Sequence, residues 1–383
     1  MSKVGSGPLE GLRVLEIGGM GPGPFAGMTL ADMGAEVVRI ERPGGPGIFP
    51  GPPTADIVNR GKRSVVLDLK KPGAVDALLS LTERADALIE GYRPGVAERL
   101  GIGPAVCWER NPKLVYGRMT GWGQTGPLAQ TAGHDISYIA ITGALHAIGD
   151  AGGPPQVPVN LLGDYGGGGM YLVAGLLAAL READRTGRGQ VVDAAIVDGT
   201  AHLLTGTHAL VNAGTWVDER GSNLLDGGAP FYAVYETSDG RYMAAGALEP
   251  KFYAALLAGL GLTDEQLADQ HDQEGWPGLR KRIAAAFASR TQQEWIEVFG
   301  TSDACVAPVI GMAEAADHPH VAARGAVVRR GDRIEPGVAP RFSHHPDVRP
   351  AAPVPFGRDT VAVLGEWGVD PAPLLESGAA AES

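Results

Sequence analysis

Residues 12–41 read LRVLEIGGMGPGPFAGMTLADMGAEVVRIE, and the order of patterns within them decides the fold. Residues 12–17 are a short apolar run bounded by glycine, the pattern of a strand buried on both faces. A Gly/Pro-rich loop, GGMGPGPF, follows; residues 25–33 then read as a helix and AEVVRIE as a second strand. Strand, tight turn, helix and strand in that order make one unit of a parallel α/β sheet.

Outward from this unit the alternation continues. Residues 64–69 read as a strand, 73–84 as a helix, 87–90 as a strand, 95–100 as a short helix and 114–119 as a strand. The fold class expected is α/β, with a doubly wound, Rossmann-like large domain. A strong helix over 171–185 ends at TGRGQ, and 191–198 opens a new segment with Asp193 and Asp198. Residues 214–226 are Gly- and polar-rich and read as a loop or linker. Beyond them FYAVYETSDGRYMAAGAL (231–248) reads as a β-hairpin turning at Ser-Asp-Gly, and helices are expected over 251–260, 278–288 and 292–299. The proline-punctuated tail is expected to be extended, with a last short helix near 360–367. The predicted division is a large α/β domain over 1–190, a linker over 191–225, a smaller α+β domain over 226–310, and a return linker with the C-terminal part of the large domain over 311–383.

A chain of 383 residues suits two domains. The most apolar run, 170–180, is too short to span a bilayer and reads as a buried helix. The N-terminus lacks the plan of a signal peptide and the C-terminus GAAAES is no peroxisomal tripeptide, so a cytoplasmic location is the default expectation. Two cysteines, Cys107 and Cys305, make neither a disulfide framework nor a metal site, and Cys305, within DACVAPVI, reads as a small core residue. Thirty-two basic against 44 acidic residues give a net charge of −12, which argues against a nucleic-acid surface. An anionic ligand therefore has to be held by local cations.

Gly21-Pro22-Gly23-Pro24-Phe25-Ala26 fits the glycine pattern of a dinucleotide loop, with Glu41 near where a ribose-binding acid sits. Pro22 and Pro24 each remove an N–H that would cradle a pyrophosphate, and Pro24 suits the first helical position, so a tight strand-to-helix turn is the preferred reading. The cations are more telling. Arg39 and Arg42 flank Glu41, Asn59-Arg60-Gly61-Lys62-Arg63 precedes a strand, and Arg93 and Arg99 lie in GYRPGVAERLG. Several arginines near the C-terminal ends of strands suit a phosphate-rich ligand, against the alternative of a solvated surface.

Taken together, LEGLRVLEIGGMGPGPFAGMTLADMGAEVVRIERPGG, NRGKRSVVLDLK, EGYRPGVAERLG, GRMTGWGQTGP, GHDISYIAITGALHAIG, PVNLLGDYGGGGMYLVAGLLAAL, GRGQVVDAAIVDG and DACVAPV resemble, in order, the superfamily of family III CoA-transferases and α-methylacyl-CoA racemases. The resemblance covers most of the chain. It implies one of two chemistries. Transferases of the superfamily use an aspartate that is acylated, and carry a glycine-rich loop ending in Gln in the second domain. Racemases keep the aspartate, add a histidine in a Gly-His-Asp block, and have a glutamate where that loop would lie. Here Gly133-His134-Asp135, Asp164 and Ala247-Leu248-Glu249 match the second pattern, and His146 matches no catalytic block.

The resemblance implies that His134 and Asp164 are an acid/base pair on opposite faces of the carbon next to a thioester, with Glu249 orienting His134 and Asp135 assisting. Imidazole titrates near neutrality, whereas a carboxyl acting as an acid needs a raised pKa, and the apolar setting NLLGDYGGGGMYL suits the burial that would raise it. Asp164 is expected just before a helix, with N–H groups of residues 163–166, Gly163 among them, facing the enolate oxygen. Arg39, Lys62, Tyr92, Arg93, Arg99 and Gly163 are the expected coenzyme A contacts. A methionine surface including Met170 and Met243 is expected for the acyl chain. No metal is expected, and no cofactor beyond the coenzyme A moiety of an acyl-CoA substrate. An interlocked homodimer is implied, with no nucleic-acid or membrane partner, and Glu249 supplied in cis or in trans. Alternatives are a family III transferase moving CoA between carboxylic acids through an aspartyl intermediate, a non-enzymatic CoA-binding subunit, and, from the glycine loop alone, a nicotinamide dehydrogenase.

Overall fold

The computed structural model describes residues 7–44, 51–52, 55–262, 267, 269–346 and 348–382. The chain divides into two compact units: Met1–Thr142, Val159–Leu204 and Glu335–Ser383 form the first, Gly143–Pro158 and Thr205–Ile334 the second.

The first unit is built on a parallel sheet. Its strands are β1 (Arg13–Ile17), β2 (Glu36–Glu41), β3 (Arg63–Leu67), β4 (Ala87–Glu90), β5 (Val115–Thr120) and β6 (Val191–Ala195). They lie in the order β3-β2-β1-β4-β5-β6, and a two-residue strand, Ala380–Ala381, pairs antiparallel to β3 at the edge. Alternate residues of each strand feed two cores, as the two-residue repeat of a strand requires. Leu15, Ile17, Val38, Ile40, Val65 and Leu88 face one, with Trp367 from the C-terminal segment. Val14, Val37, Ile89 and Val115 face the other, beneath α1 (Pro22–Asp32) and α2 (Met170–Thr186).

Three expectations move here. Pro22, not Pro24, opens α1, because Gly21 at φ 67° makes the turn one residue after Met20. Residues 191–195 are no linker. They are edge strand β6, paired in parallel with β5 from Tyr116↔Val191 to Thr120↔Ala195, and α3 (Ile196–Leu203) continues directly from it. Residues 143–158 and 311–334 belong to the second unit, where the predicted division gives the former to the large domain and the latter to the return linker and C-terminal part of the large domain.

The second unit carries an antiparallel sheet of Tyr232–Glu236, Tyr242–Gly246 and Val306–Val309. Helices Pro250–Leu260, Trp276–Phe287 and Gln292–Phe299 bury Leu256, Phe287, Trp295 and Phe299 in its core. Gly240, at φ 72°, makes the hairpin turn that Ser-Asp-Gly predicts. Met243 lies wholly inside this core, so it offers nothing to an acyl chain, whereas Met170 is exposed. Cys305 is also a correction: it is exposed, at φ 53°, just ahead of the third strand. No helix among the described residues is long and apolar enough to cross a membrane.

Candidate active site

The strand order reverses between β1 and β4, so the loops after these strands diverge and leave a crevice at their C-terminal ends. A cavity of about 840 Å³ opens there, lined by the loops after β1, β2, β3, β4 and β5, all within the first unit. His134 and Asp164 both line it.

Asp164 stands inside a π-helical turn, Leu161–Gly169, that runs into α2, and not before the helix as expected. Its glycines explain that geometry. A Cβ on Gly167 would fall 2.7 Å from the Thr200 nitrogen, one on Gly199 would fall 1.9 Å from the Gly167 carbonyl oxygen, and one on Gly169 would fall 2.7 Å from the Phe25 ring. The glycine run therefore seats the turn against α1 and α3. Asp164 N–H donates to Asp135 Oδ1 at 2.6 Å, and Tyr165 N–H to the Asn160 carbonyl at 3.3 Å. Two of the four N–H groups expected to face an enolate oxygen are thus already engaged. Gly163 is buried against Asp135 and does not line the cavity.

The Asp164 carboxylate is half-buried, accepts a 3.3 Å bond from Asn160 Nδ2, and faces Gly21, where a Cβ would sit 2.9 Å from its Oδ2. Burial pushes its pKa above the ordinary aspartate value; Asp135 pushes the same way, while Asn160 and His134 pull it down. His134 is the N-cap of the helix Asp135–Ala140 and is exposed, its carbonyl accepting from Ser137 and Tyr138 N–H. Because Asp135 adjoins His134 and holds the Asp164 amide, one short segment fixes both candidate groups. Tyr138 closes the cavity from behind, its hydroxyl on the Gly133 carbonyl and its ring edge-on to Trp122 at 4.7 Å.

The expected coenzyme A contacts separate into two sets. Tyr92 and Arg93 line the cavity, and so does Arg42, which the sequence groups with Arg39 without assigning it to the ligand. Lys62 is 2% exposed, with Nζ 2.7 Å from Glu16 Oε2 and 2.8 Å from the Pro24 carbonyl. It is an interior ion pair, not a ligand contact. Arg39 reaches the cavity edge, but its guanidinium lies 3.2 Å from Glu41 and 3.7 Å from Glu16. Glu41 is itself buried on Arg39 and on Ser64 Oγ, so it is not free for a ribose. Arg99 is exposed outside the lining. Glu249 falls in the second unit, as the N-cap residue of helix Pro250–Leu260. His146 is exposed there too, 3.2 Å from Asp218.

The profile of CoA-transferase family III matches residues 9–360. The chain belongs to this family. α-Methylacyl-CoA racemase of Mus musculus is 45% identical over 370 residues, covering 96% of this chain and 95% of that protein. Acetyl-CoA:oxalate CoA-transferase of Acetobacter aceti is 33% identical over 365 residues, covering 91% and 92%. Among solved structures, a CAIB/BAIF family protein from Brucella suis superposes with a TM-score of 0.81 at 25% identity, covering 94% of this chain and 99% of that one.

Proposed function

We propose that this chain is a racemase of 2-methylacyl-CoA thioesters. It removes the proton on the carbon next to the thioester carbonyl and returns one to the opposite face through an enolate. The observation that carries the reading is that His134 and Asp164, thirty residues apart in sequence, face one cavity, in a chain 45% identical to a protein of that activity over nearly its whole length.

In this scheme one group arrives as base and the other as acid. Imidazole meets either demand near neutrality. Burial raises the Asp164 pKa, the direction that a carboxyl serving as an acid requires. Asp135 fixes the Asp164 amide and so the direction of its carboxylate. Tyr92, Arg93 and Arg42 receive the coenzyme A moiety, the arginines pairing with its phosphates. Glu249 orients His134 from the second unit of the same chain or of a partner in an interlocked homodimer. No cofactor beyond the substrate's own coenzyme A enters the scheme.

The second reading is a CoA-transferase with Asp164 as nucleophile, favoured by the resemblance to the Acetobacter enzyme. One assay separates the two. A single epimer of a 2-methylacyl-CoA is incubated in deuterated water with no acyl acceptor. Label at C2, abolished in His134→Ala and Asp164→Ala, supports the racemase. In a parallel incubation with an added carboxylic acid, transfer of CoA to that acid without label at C2 overturns it.

A further inference from the structure

Beneath the cavity lies a charged cluster that the proton-transfer scheme does not use. Glu90 ends β4 and is 3% exposed. Its Oε2 accepts the Tyr92 N–H at 2.7 Å, and its Oε1 lies 3.6 Å from Arg118 Nε on β5. Arg118 donates to Gln124 Oε1 at 2.7 Å, in the loop after β5, and also binds Glu98 on the helix Val96–Arg99. Arg118 therefore ties together three segments, two of which, at Tyr92–Pro94 and Thr120–Trp122, form cavity wall. A buried carboxylate needs such a partner, and the partner here reaches the ligand loops and not the solvent.

We propose that Glu90 and Arg118 are a positioning pair: ionised Glu90 locks the Tyr92–Arg93 loop through the Tyr92 amide and braces Arg118 against the loop after β5, and this sets the affinity for coenzyme A. The proposal rests on the reading of the cavity as a CoA-thioester site. Burial pushes the Glu90 pKa up to about 7, opposed by the Tyr92 amide and by Arg118. The charged and titratable groups facing it are Tyr92 on its own loop, Arg118 and Tyr116 on β5, Glu98 on the helix Val96–Arg99, and Asp193 on β6. The two nearby acids add to the rise. Proton uptake replaces a charge-assisted bond by a weaker neutral one and leaves Arg118 without this counter-ion. Affinity therefore falls as pH drops through neutrality.

The test is calorimetric titration with coenzyme A between pH 6 and pH 8.5, on the full chain. In the wild type, affinity rises with pH. In Glu90→Gln, which keeps an acceptor for the Tyr92 amide but cannot ionise, the rise is smaller by about tenfold. The difference between the two curves cancels titration of the ligand's own phosphate. Glu90→Ala raises KM for the acyl thioester about tenfold at pH 8, with turnover at saturation within about threefold of wild type. Glu90→Gln restores most of that KM. Parallel affinity curves for wild type and Glu90→Gln, or a loss confined to turnover, overturn the proposal. If Glu90→Ala does not fold, the Glu90→Gln comparison decides. If the wild type fails to bind coenzyme A at any pH, the ligand reading of the cavity fails instead. The pair is then judged on the free protein: slower hydrogen exchange of the Tyr92 amide in wild type than in Glu90→Gln at pH 8 upholds the lock, and equal rates refute it.

Discussion

A Cβ on Gly27 would lie 1.9 Å from Glu16 Oε2 and 3.3 Å from Lys62 Cε. Alanine in place of glycine inside a helix ordinarily stabilises by about 1 kcal/mol. Here the methyl would drive a fully buried carboxylate off its ammonium partner. Gly27→Ala is expected to destabilise the fold by about 2–4 kcal/mol, read from urea unfolding, and a variant as stable as wild type refutes the packing described. Asp164 yields a prediction in pH. Its folded pKa lies above its ordinary value, so the folded chain holds the proton more tightly than the unfolded chain. The site's contribution to stability is complete below the ordinary aspartate pKa and is lost as pH rises through the folded value. Asp164→Asn keeps the shape and removes the titration. Relative to wild type it should gain stability from pH 3.5 to pH 7, while C2 exchange falls by about a hundredfold or more. Stability differences independent of pH would mean that Asp164 is not desolvated.

Among the elements, β1, β2 and the residue just ahead of β3 carry the decisive charges. Glu16, Arg39 and Lys62 are buried together, and neither Glu16 oxygen has a hydrogen-bond partner beyond these ion pairs among the described residues. Removing one member strands the others. Lys62→Met should cost about 3–5 kcal/mol, and a Glu16→Gln/Lys62→Met double variant should recover at least about half of that. The double variant should bind coenzyme A as wild type does; a tenfold loss of affinity without loss of stability would return Lys62 to the ligand site. The sequence reading put Lys62 there because a cluster of cations suits a phosphate-rich ligand. Period-two alternation carried the needed information, since Val37, Arg39 and Glu41 alternate with Val38 and Ile40 and so share the other face of β2. The central strands were legible because burial on both faces makes them continuous apolar runs. β6 was not, because VVDAA at a sheet edge keeps Asp193 exposed and breaks the run. The π-helical turn was hidden by its own glycines, which in sequence look like a loop. No local spacing signals that residues 134 and 164 meet; that came from the block resemblance alone.

At the scale of the whole molecule, Asp164 belongs to the first unit and Glu249 to the second. An interlocked dimer would take them from different copies. A mixing experiment distinguishes this from a site completed within one chain. Asp164→Ala and Glu249→Ala are each expected to be nearly inactive in C2 exchange. The two are unfolded together and refolded, so that copies pair at random. If the site is shared between copies, each mixed dimer holds one site with both residues intact and one with neither. Half of all dimers are mixed, so activity should return to about a quarter of the wild-type value. If the site is completed within one chain, no mixed dimer holds an intact site and activity stays at the level of the single variants. Refolding each variant alone controls for recovery of folded protein, and the molar mass in solution reports whether a dimer forms at all. A monomer with full wild-type exchange would eliminate the shared site outright and leave Glu249 to act within its own chain.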